Sequence, residues 1–153
     1  MNNNMTRRGA REAAMHILYE LIFHPEFDAE QASALTGVEA MSCWRGELAL
    51  YDSIPKGEEK AYIEAVVEGV RAGSEQLEEQ IAQHAEGWSL ARISKITLIL
   101  MKIALFESRH IQGVTVAVAV NEAVALCKRY DSEEAAAFLN GVLGSIVRAE
   151  EAP

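Results

Sequence analysis

The sequence begins with a cluster of three arginines, Arg7, Arg8 and Arg11. On an α-helix they would cover an arc of about 100°, and guanidinium groups bind phosphate through paired hydrogen bonds. Tyr19, on the same helix, would offer a ring on which an unpaired base can stack. The cluster indicates a nucleic-acid contact. The alternative is an ordinary solvated helix start, although positive charge there opposes the helix dipole.

A second group of residues has the spacing of a metal site. His16, Glu20 and His24 follow one another at intervals of four residues and could share one face of a helix. No fourth ligand is evident in the sequence. We therefore interpret these residues as exposed polar side chains beside an apolar stripe and predict no metal.

The motifs of common enzyme sites are missing from the sequence. It contains no GxSxG, no HExxH, no phosphate-binding loop and no dinucleotide glycine fingerprint. Cys43 and Cys127 form no CxxC pair, and Cys127 falls on an apolar pattern typical of a core residue rather than of a Cys–His nucleophile. We predict a binding protein without catalytic residues or cofactor.

The net charge of −9 over 153 residues limits the possible partners. An acidic protein repels nucleic acid and anionic lipid, so any RNA contact requires a local basic patch. Polar side chains interrupt the apolar stretch after the arginines, which excludes a signal peptide. The most apolar stretch, residues 96–106, is too short to span a bilayer. We expect a cytoplasmic protein with no membrane contact.

Hydrophobic periodicity predicts an all-α fold of about seven helices. Residues 1–6 form an Asn-rich tail that we expect to be disordered, and residues 7–149 form a single helical domain. The first helix carries apolar residues at positions 10, 13, 14, 17, 18, 21 and 22 and ends at Pro25. Short helices are predicted at 28–35 and 40–51, and a turn at 55–57.

The remaining helices are predicted from 58 to about 72, from 74 to about 85, from 90 to 109, from about 114 and from about 131. Ser74 is a candidate N-cap, with Trp88 continuing the apolar side of the helix that it starts. Asp131, with Glu134 three residues later, has the pattern of a capping box. The helix over 90–109 is apolar on nearly all sides and is therefore expected at the centre of the core.

Four segments of the chain carry motifs that occur together in one known family. They are Arg8–Ala14 followed by Leu18-Tyr19, Ile103–Glu107 (IALFE), Val120–Lys128 (VNEAVALCK) and Phe138–Leu143 (FLNGVL). In this order they resemble the NusB family of transcription antitermination factors. The resemblance extends over about residues 7–147.

The resemblance implies two small packed helical bundles and no catalysis. It also implies binding to the boxA element of nascent RNA together with the ribosomal protein NusE, within an RNA polymerase antitermination complex on ribosomal RNA operons. Its RNA surface corresponds to Arg7, Arg8, Arg11, His16, Tyr19, Glu134 and Phe138. A protein-partner face corresponds to Lys102, Phe106 and Glu107, and a structural signature to Asn121, Glu122, Asn140 and Gly141. We interpret Gly141 as a packing position and the two asparagines as helix–helix hydrogen-bonding residues.

The chain departs from the family pattern at three places. Gly9 stands where a basic residue is frequent, Thr97-Leu98 where an Asp-Arg pair is common, and Thr115 where a proline is common. Gly9 reduces the number of positive charges on the RNA surface. Leu98 either enlarges a protein-contact patch or lies deeper in the core. The alternative function is therefore a protein-interaction or dimerisation module with weak or no RNA binding, and a homodimer remains open. The NusB-like domain of an RNA methyltransferase is disfavoured, because it requires a downstream cofactor domain.

Overall fold

The computed structural model describes residues 6–26 and 58–152. Within these ranges the chain forms six α-helices and one short 3₁₀ helix, with no β-strand. The predicted all-α fold is thereby confirmed. The chain divides into two compact units, residues 1–69 and 70–153.

The first unit contains helix α1 (Arg7–Phe23) and most of helix α2 (Glu58–Ala72). Thr6 caps α1, since its hydroxyl accepts a hydrogen bond from the Gly9 N–H at 3.0 Å. Thr6 therefore belongs to the helix cap and not to the predicted tail. The apolar stripe of α1 is buried as predicted, except that Ile22 is 41% exposed.

The second unit contains four α-helices and the 3₁₀ helix. They are α3 (Ser74–His84), the 3₁₀ helix (Leu90–Arg92), α4 (Lys95–His110), α5 (Val116–Tyr130) and α6 (Glu133–Glu151). Helix α4 packs against α3, α5 and α6, and most of its side chains are buried. The central position predicted for this segment is correct.

The stretch predicted as one helix over 90–109 is interrupted near its start. Ser94 has an extended backbone and accepts a hydrogen bond from the Thr97 N–H at 3.1 Å, so it caps α4. Residues 90–92 form a separate 3₁₀ turn. The single long helix is wrong because a serine hydroxyl competes with the backbone for these first N–H groups.

Two other predicted caps lie one residue from their true position. Gly73 precedes α3, and Ser74 is its first helical residue. Ser132, not Asp131, caps α6, because its hydroxyl accepts from the Ala135 N–H at 3.0 Å. Asp131 instead ends α5. Trp88 also lies beyond the end of α3 and is exposed, so it does not continue the apolar side of that helix.

Thr115 explains one departure from the family pattern. Its hydroxyl accepts a hydrogen bond from the Val118 N–H at 3.1 Å and so caps α5. A threonine can satisfy this N–H, whereas a proline would only restrict the backbone. The predicted tail over 1–5, the short helices over 28–35 and 40–51, the turn at 55–57 and Cys43 lie outside the described residues.

The cap of α6 provides a test of this helix boundary. We expect Ser132→Ala to lower the free energy of unfolding by about 1 kcal/mol, because the Ala135 N–H loses its acceptor. Ser89→Ala is a matched control, since Ser89 precedes the 3₁₀ helix without a side-chain cap hydrogen bond. Urea unfolding followed by circular dichroism measures both values, and equal effects would contradict the assignment.

Candidate nucleic-acid interface

Arg7 is held by two neighbours in the first unit. Its Nε donates to Glu59 Oε2 at 2.7 Å, and its guanidinium carbon lies 4.3 Å from the centre of the Tyr62 ring. Both side chains of the ion pair are partly exposed, at 33% for Arg7 and 19% for Glu59. The pair partly neutralises Arg7 and fixes its position, so less of its charge is available to a phosphate.

Arg11 is buried, with 6% of its surface exposed. One turn of helix after Arg7, it lies about 20° around the helix axis from Leu18, at the border of the apolar stripe. Packing of the stripe therefore covers it. The expectation that α1 presents three guanidinium groups together is wrong at Arg11, whereas Arg8 is exposed.

The other predicted residues of α1 share the face of Arg8. His16 and Tyr19 lie within about 80° of Arg8 around the helix axis, and both are half-buried. The Tyr19 ring contacts the Phe23 ring edge to face, with centres 5.3 Å apart. Glu12, which lies between them on this face, is buried. The buried Glu12 thus divides the candidate surface on α1 into two parts, with Arg8 near the start of the helix and Tyr19 near its end.

Phe138 forms part of an aromatic wall in the second unit. Its ring centre lies 5.5 Å from that of Trp88, with the ring planes tilted by 54°. Phe138 is half-buried, whereas Trp88 is 48% exposed. Glu134, one turn earlier on α6, is exposed. Trp88 was not among the predicted site residues, although a tryptophan next to a helix break is a recognisable signal.

The aromatic wall borders a cavity of about 220 Å³. Its lining is a mixture of aromatic, charged and hydroxyl side chains from the second unit: Trp88, Arg92, Ile93, Ser94, Thr97, Asp131, Ser132, Glu134, Ala135 and Phe138. Drug-sized ligands occupy cavities of about 300–1,000 Å³. This cavity is smaller than that range and can hold a group about the size of one ring system.

One carboxylate oxygen organises the polar side of the cavity. Asp131 Oδ2 accepts hydrogen bonds from Ser94 Oγ at 2.5 Å and from Thr97 Oγ1 at 2.7 Å. The same Thr97 hydroxyl contacts Cys127 Sγ at 3.4 Å. Burial raises the pKa of the Cys127 thiol, which disfavours the reactive thiolate and supports its interpretation as a core residue.

The spacing of His16, Glu20 and His24 does not produce a metal centre in the structure. His24 Nε2 lies 3.5 Å from Glu20 Oε1, and its Nδ1 lies 3.4 Å from Glu26 Oε1. Across residues 6–26 and 58–152, no group of three His, Cys, Asp or Glu side chains is placed to hold a metal ion. No helix in these ranges is long and apolar enough to cross a membrane.

Comparison with known proteins assigns the chain to a family. The family model described as the NusB family matches residues 8–148. The chain belongs to the NusB family. Curated relatives named transcription antitermination protein NusB include those of Acetivibrio thermocellus, 35% identical over 144 residues, and Limosilactobacillus fermentum, 34% identical over 145 residues. These alignments cover 94% and 92% of this chain, and 90% and 91% of the respective relatives.

Solved structures agree with this fold. NusB of T. maritima has a TM-score of 0.75 at 21% identity and aligns over 95% of this chain and 92% of its own. A chain in the crystal structure of a plectonemic RNA supercoil has the same TM-score at 24% identity, with 95% and 96% covered. The curated NusB relatives are named as transcription antitermination proteins.

The family's implied partner face is only partly available on the surface. Lys102 is buried between Glu78 Oε1, 2.6 Å from its Nζ, and Ser74 Oγ at 2.9 Å. Glu107 is also buried, with 1% exposed. Neither can contact a partner directly, so the prediction is wrong at these two positions. Phe106 is half-buried and its ring stacks against His110, with centres 4.9 Å apart.

The NusB signature positions are more exposed than we predicted. A Cβ added at Gly141 would meet no atom within 4 Å, so close packing does not require glycine there. Asn121 and Asn140 are exposed, and their side chains make no hydrogen bond in the described part of the chain. The predicted helix–helix hydrogen bonds are therefore wrong. Glu122 is half-buried.

The different environments of the arginines on α1 can be tested through stability. We expect Arg11→Ala to lower the free energy of unfolding by about 1–3 kcal/mol, because a buried charged side chain and its stem are removed. Arg8→Ala should change it by less than about 0.5 kcal/mol, as for most exposed positions. Urea titration compares the two, and equal losses would contradict the burial of Arg11.

Proposed function

We propose that this protein is a transcription antitermination factor that binds boxA-type RNA together with the ribosomal protein NusE. In this role it would join an RNA polymerase antitermination complex on ribosomal RNA operons, in the cytoplasm. The observation that carries the proposal is the match to the NusB family over residues 8–148. Curated relatives with this family's name are transcription antitermination proteins.

RNA-contacting residues are proposed on each unit. On α1, the exposed Arg8 is the main positive group, with Arg7, His16 and Tyr19 contributing at the same helix. In the second unit, Phe138 offers an aromatic surface and Glu134 lies one turn before it. Arg11 supports this surface from beneath rather than by touching RNA.

The electrostatics favour cooperative binding with NusE. The chain carries a net charge of −9, Arg7 is paired with Glu59, and Arg11 is buried. Because phosphate contacts supply most of the affinity for nucleic acid, so few available cations give weak binding alone. A partner that adds contacts to the same RNA would increase the affinity by coupling the two binding events.

The same electrostatics also support the second candidate, a protein-interaction module of the NusB fold without RNA binding. Both functions are compatible with Phe106 as part of a partner surface. They differ in whether RNA binds when NusE is present. A homodimer would be compatible with either function.

A gel-shift titration with boxA RNA, with and without NusE, tests the proposal. We expect NusE to increase the RNA affinity, and the affinity of the complex to fall as salt rises because phosphate contacts release counterions. No shift in the presence of NusE would contradict RNA binding and favour the protein-interaction module. Equal affinity with and without NusE would contradict the cooperative mechanism.

A single substitution tests the site on α1. We expect Arg8→Ala to weaken RNA binding about tenfold in the presence of NusE and to reduce its salt dependence, since one phosphate contact is lost. Arg148→Ala is the control, because this exposed arginine lies about 15 Å along α6 from Phe138. Unchanged binding by the Arg8 variant would show that this site is wrong.

A further inference from the structure

We infer that the cavity beside Trp88 binds one unpaired nucleotide and prefers a base that carries an amino group. The inference deepens the proposed function and rests on it, because the nucleotide would belong to the bound RNA. It assigns roles to Trp88, Arg92 and Asp131, which are not among the predicted RNA-surface residues. All lining residues belong to the second unit.

The aromatic wall supplies the surface on which a base would stack. Trp88 is 48% exposed, although burying so large an apolar surface would stabilise the protein. Phe138 contacts the Trp88 ring and holds it in position. Unpaired RNA bases are commonly recognised by stacking on aromatic rings of this kind. The cavity of about 220 Å³ has room for one base.

Asp131 supplies the selectivity. Its Oδ2 already accepts hydrogen bonds from Ser94 and Thr97, which fixes the plane of the carboxylate. Asp131 lines the cavity and its Oδ1 accepts no hydrogen bond in the described part of the chain, so we assign Oδ1 as the acceptor for a bound base. Adenine, cytosine and guanine each offer an exocyclic amino group to such an acceptor. Uracil has only its ring N–H, which lies between two carbonyl oxygens that the carboxylate would repel.

Arg92 gives the cavity wall one positive charge beside the carboxylates of Asp131 and Glu134. A phosphate would bind at Arg92, whereas a lysine or arginine of a protein partner would bind at the two carboxylates. The aromatic wall, on which a base can stack, favours the nucleotide. Arg92 is exposed and makes no ion pair in the described part of the chain. A nucleotide satisfies all three elements, with its ring on Trp88, its amino group at Asp131 and its phosphate at Arg92.

Binding of single nucleotides tests the inference directly. The probes are AMP, CMP, GMP and UMP, and the signal is the indole N–H resonance of Trp88 in ¹⁵N-labelled full-length protein, assigned with Trp44→Phe. We expect AMP, CMP and GMP to shift this resonance and to bind about tenfold more tightly than UMP, which corresponds to about 1.4 kcal/mol. Equal binding of all four, or none, would overturn the inference.

Asp131→Asn provides a sharper test, because it converts the free acceptor into a donor. When the amide oxygen keeps the place of Oδ2 and accepts from Ser94 and Thr97, the NH₂ group takes the position of Oδ1. We expect the preference for AMP, CMP and GMP over UMP to be lost, because every base has a ring nitrogen or carbonyl oxygen that accepts from this donor. An unchanged preference in a variant with native circular dichroism and urea midpoint would contradict the role of Asp131.

Two controls separate the alternatives. Glu133→Gln removes the same charge from the exposed start of α6 without lining the cavity, and should retain the wild-type preference. N-acetyl-arginine amide tests the protein-partner reading, and binding of this probe without nucleotide binding would overturn the inference. Because mononucleotide binding needs neither boxA RNA nor NusE, failure here with a normal gel shift rejects only the nucleotide cavity. A failed gel shift with normal nucleotide binding rejects the proposed function instead.

Discussion

The burial of α4 is the constraint on which the second unit depends. This helix is apolar on nearly all sides, and exposing it would leave a large apolar surface in water. Helices α3, α5 and α6 therefore surround it. Its buried lysine, Lys102, must then be neutralised inside the unit, which Glu78 on α3 does while Ser74 accepts a second hydrogen bond from it. The motif that marks the family on α4 thus reflects packing more than contact with partners.

In the first unit, most of the basic residues of α1 also stabilise the protein itself and are not available to bind RNA. Two of the three arginines on α1 are committed to the protein itself, Arg7 through Glu59 and Tyr62 and Arg11 through burial. An acidic protein gains little attraction to RNA from a surface so reduced. A second protein that binds the same RNA would supply the affinity that these few cations cannot. In the proposed function, the weak basic surface is therefore the physical reason for binding RNA together with a partner.

The sequence predicts the helices better than the contacts between them. The limits of α2 and the central position of α4 follow from periodicity, which depends on local spacing alone. The burial of Arg11 does not follow from periodicity, because the residue lies at the border of the apolar stripe and tertiary packing decides whether such a residue is buried or exposed. The cap of α6 was misplaced since Asp131 and Ser132 are both good caps, and only the hydroxyl groups of distant α4 engage Asp131. The cavity escaped prediction for the same reason.

The length of α6 gives the cavity a remote point of adjustment. This helix has 19 residues and extends about 28 Å, so one continuous helix links groups that lie far apart. At one end it carries Phe138, while toward the other Ser145 contacts His84 at 2.8 Å and Glu150 contacts Arg109 and Gln80. These distal polar contacts hold α6 in register along its axis against α3 and α4. A displacement of α6 along its axis would break these contacts and would move Phe138 as well, so the contacts at the C-terminal end also help to hold one wall of the cavity in place.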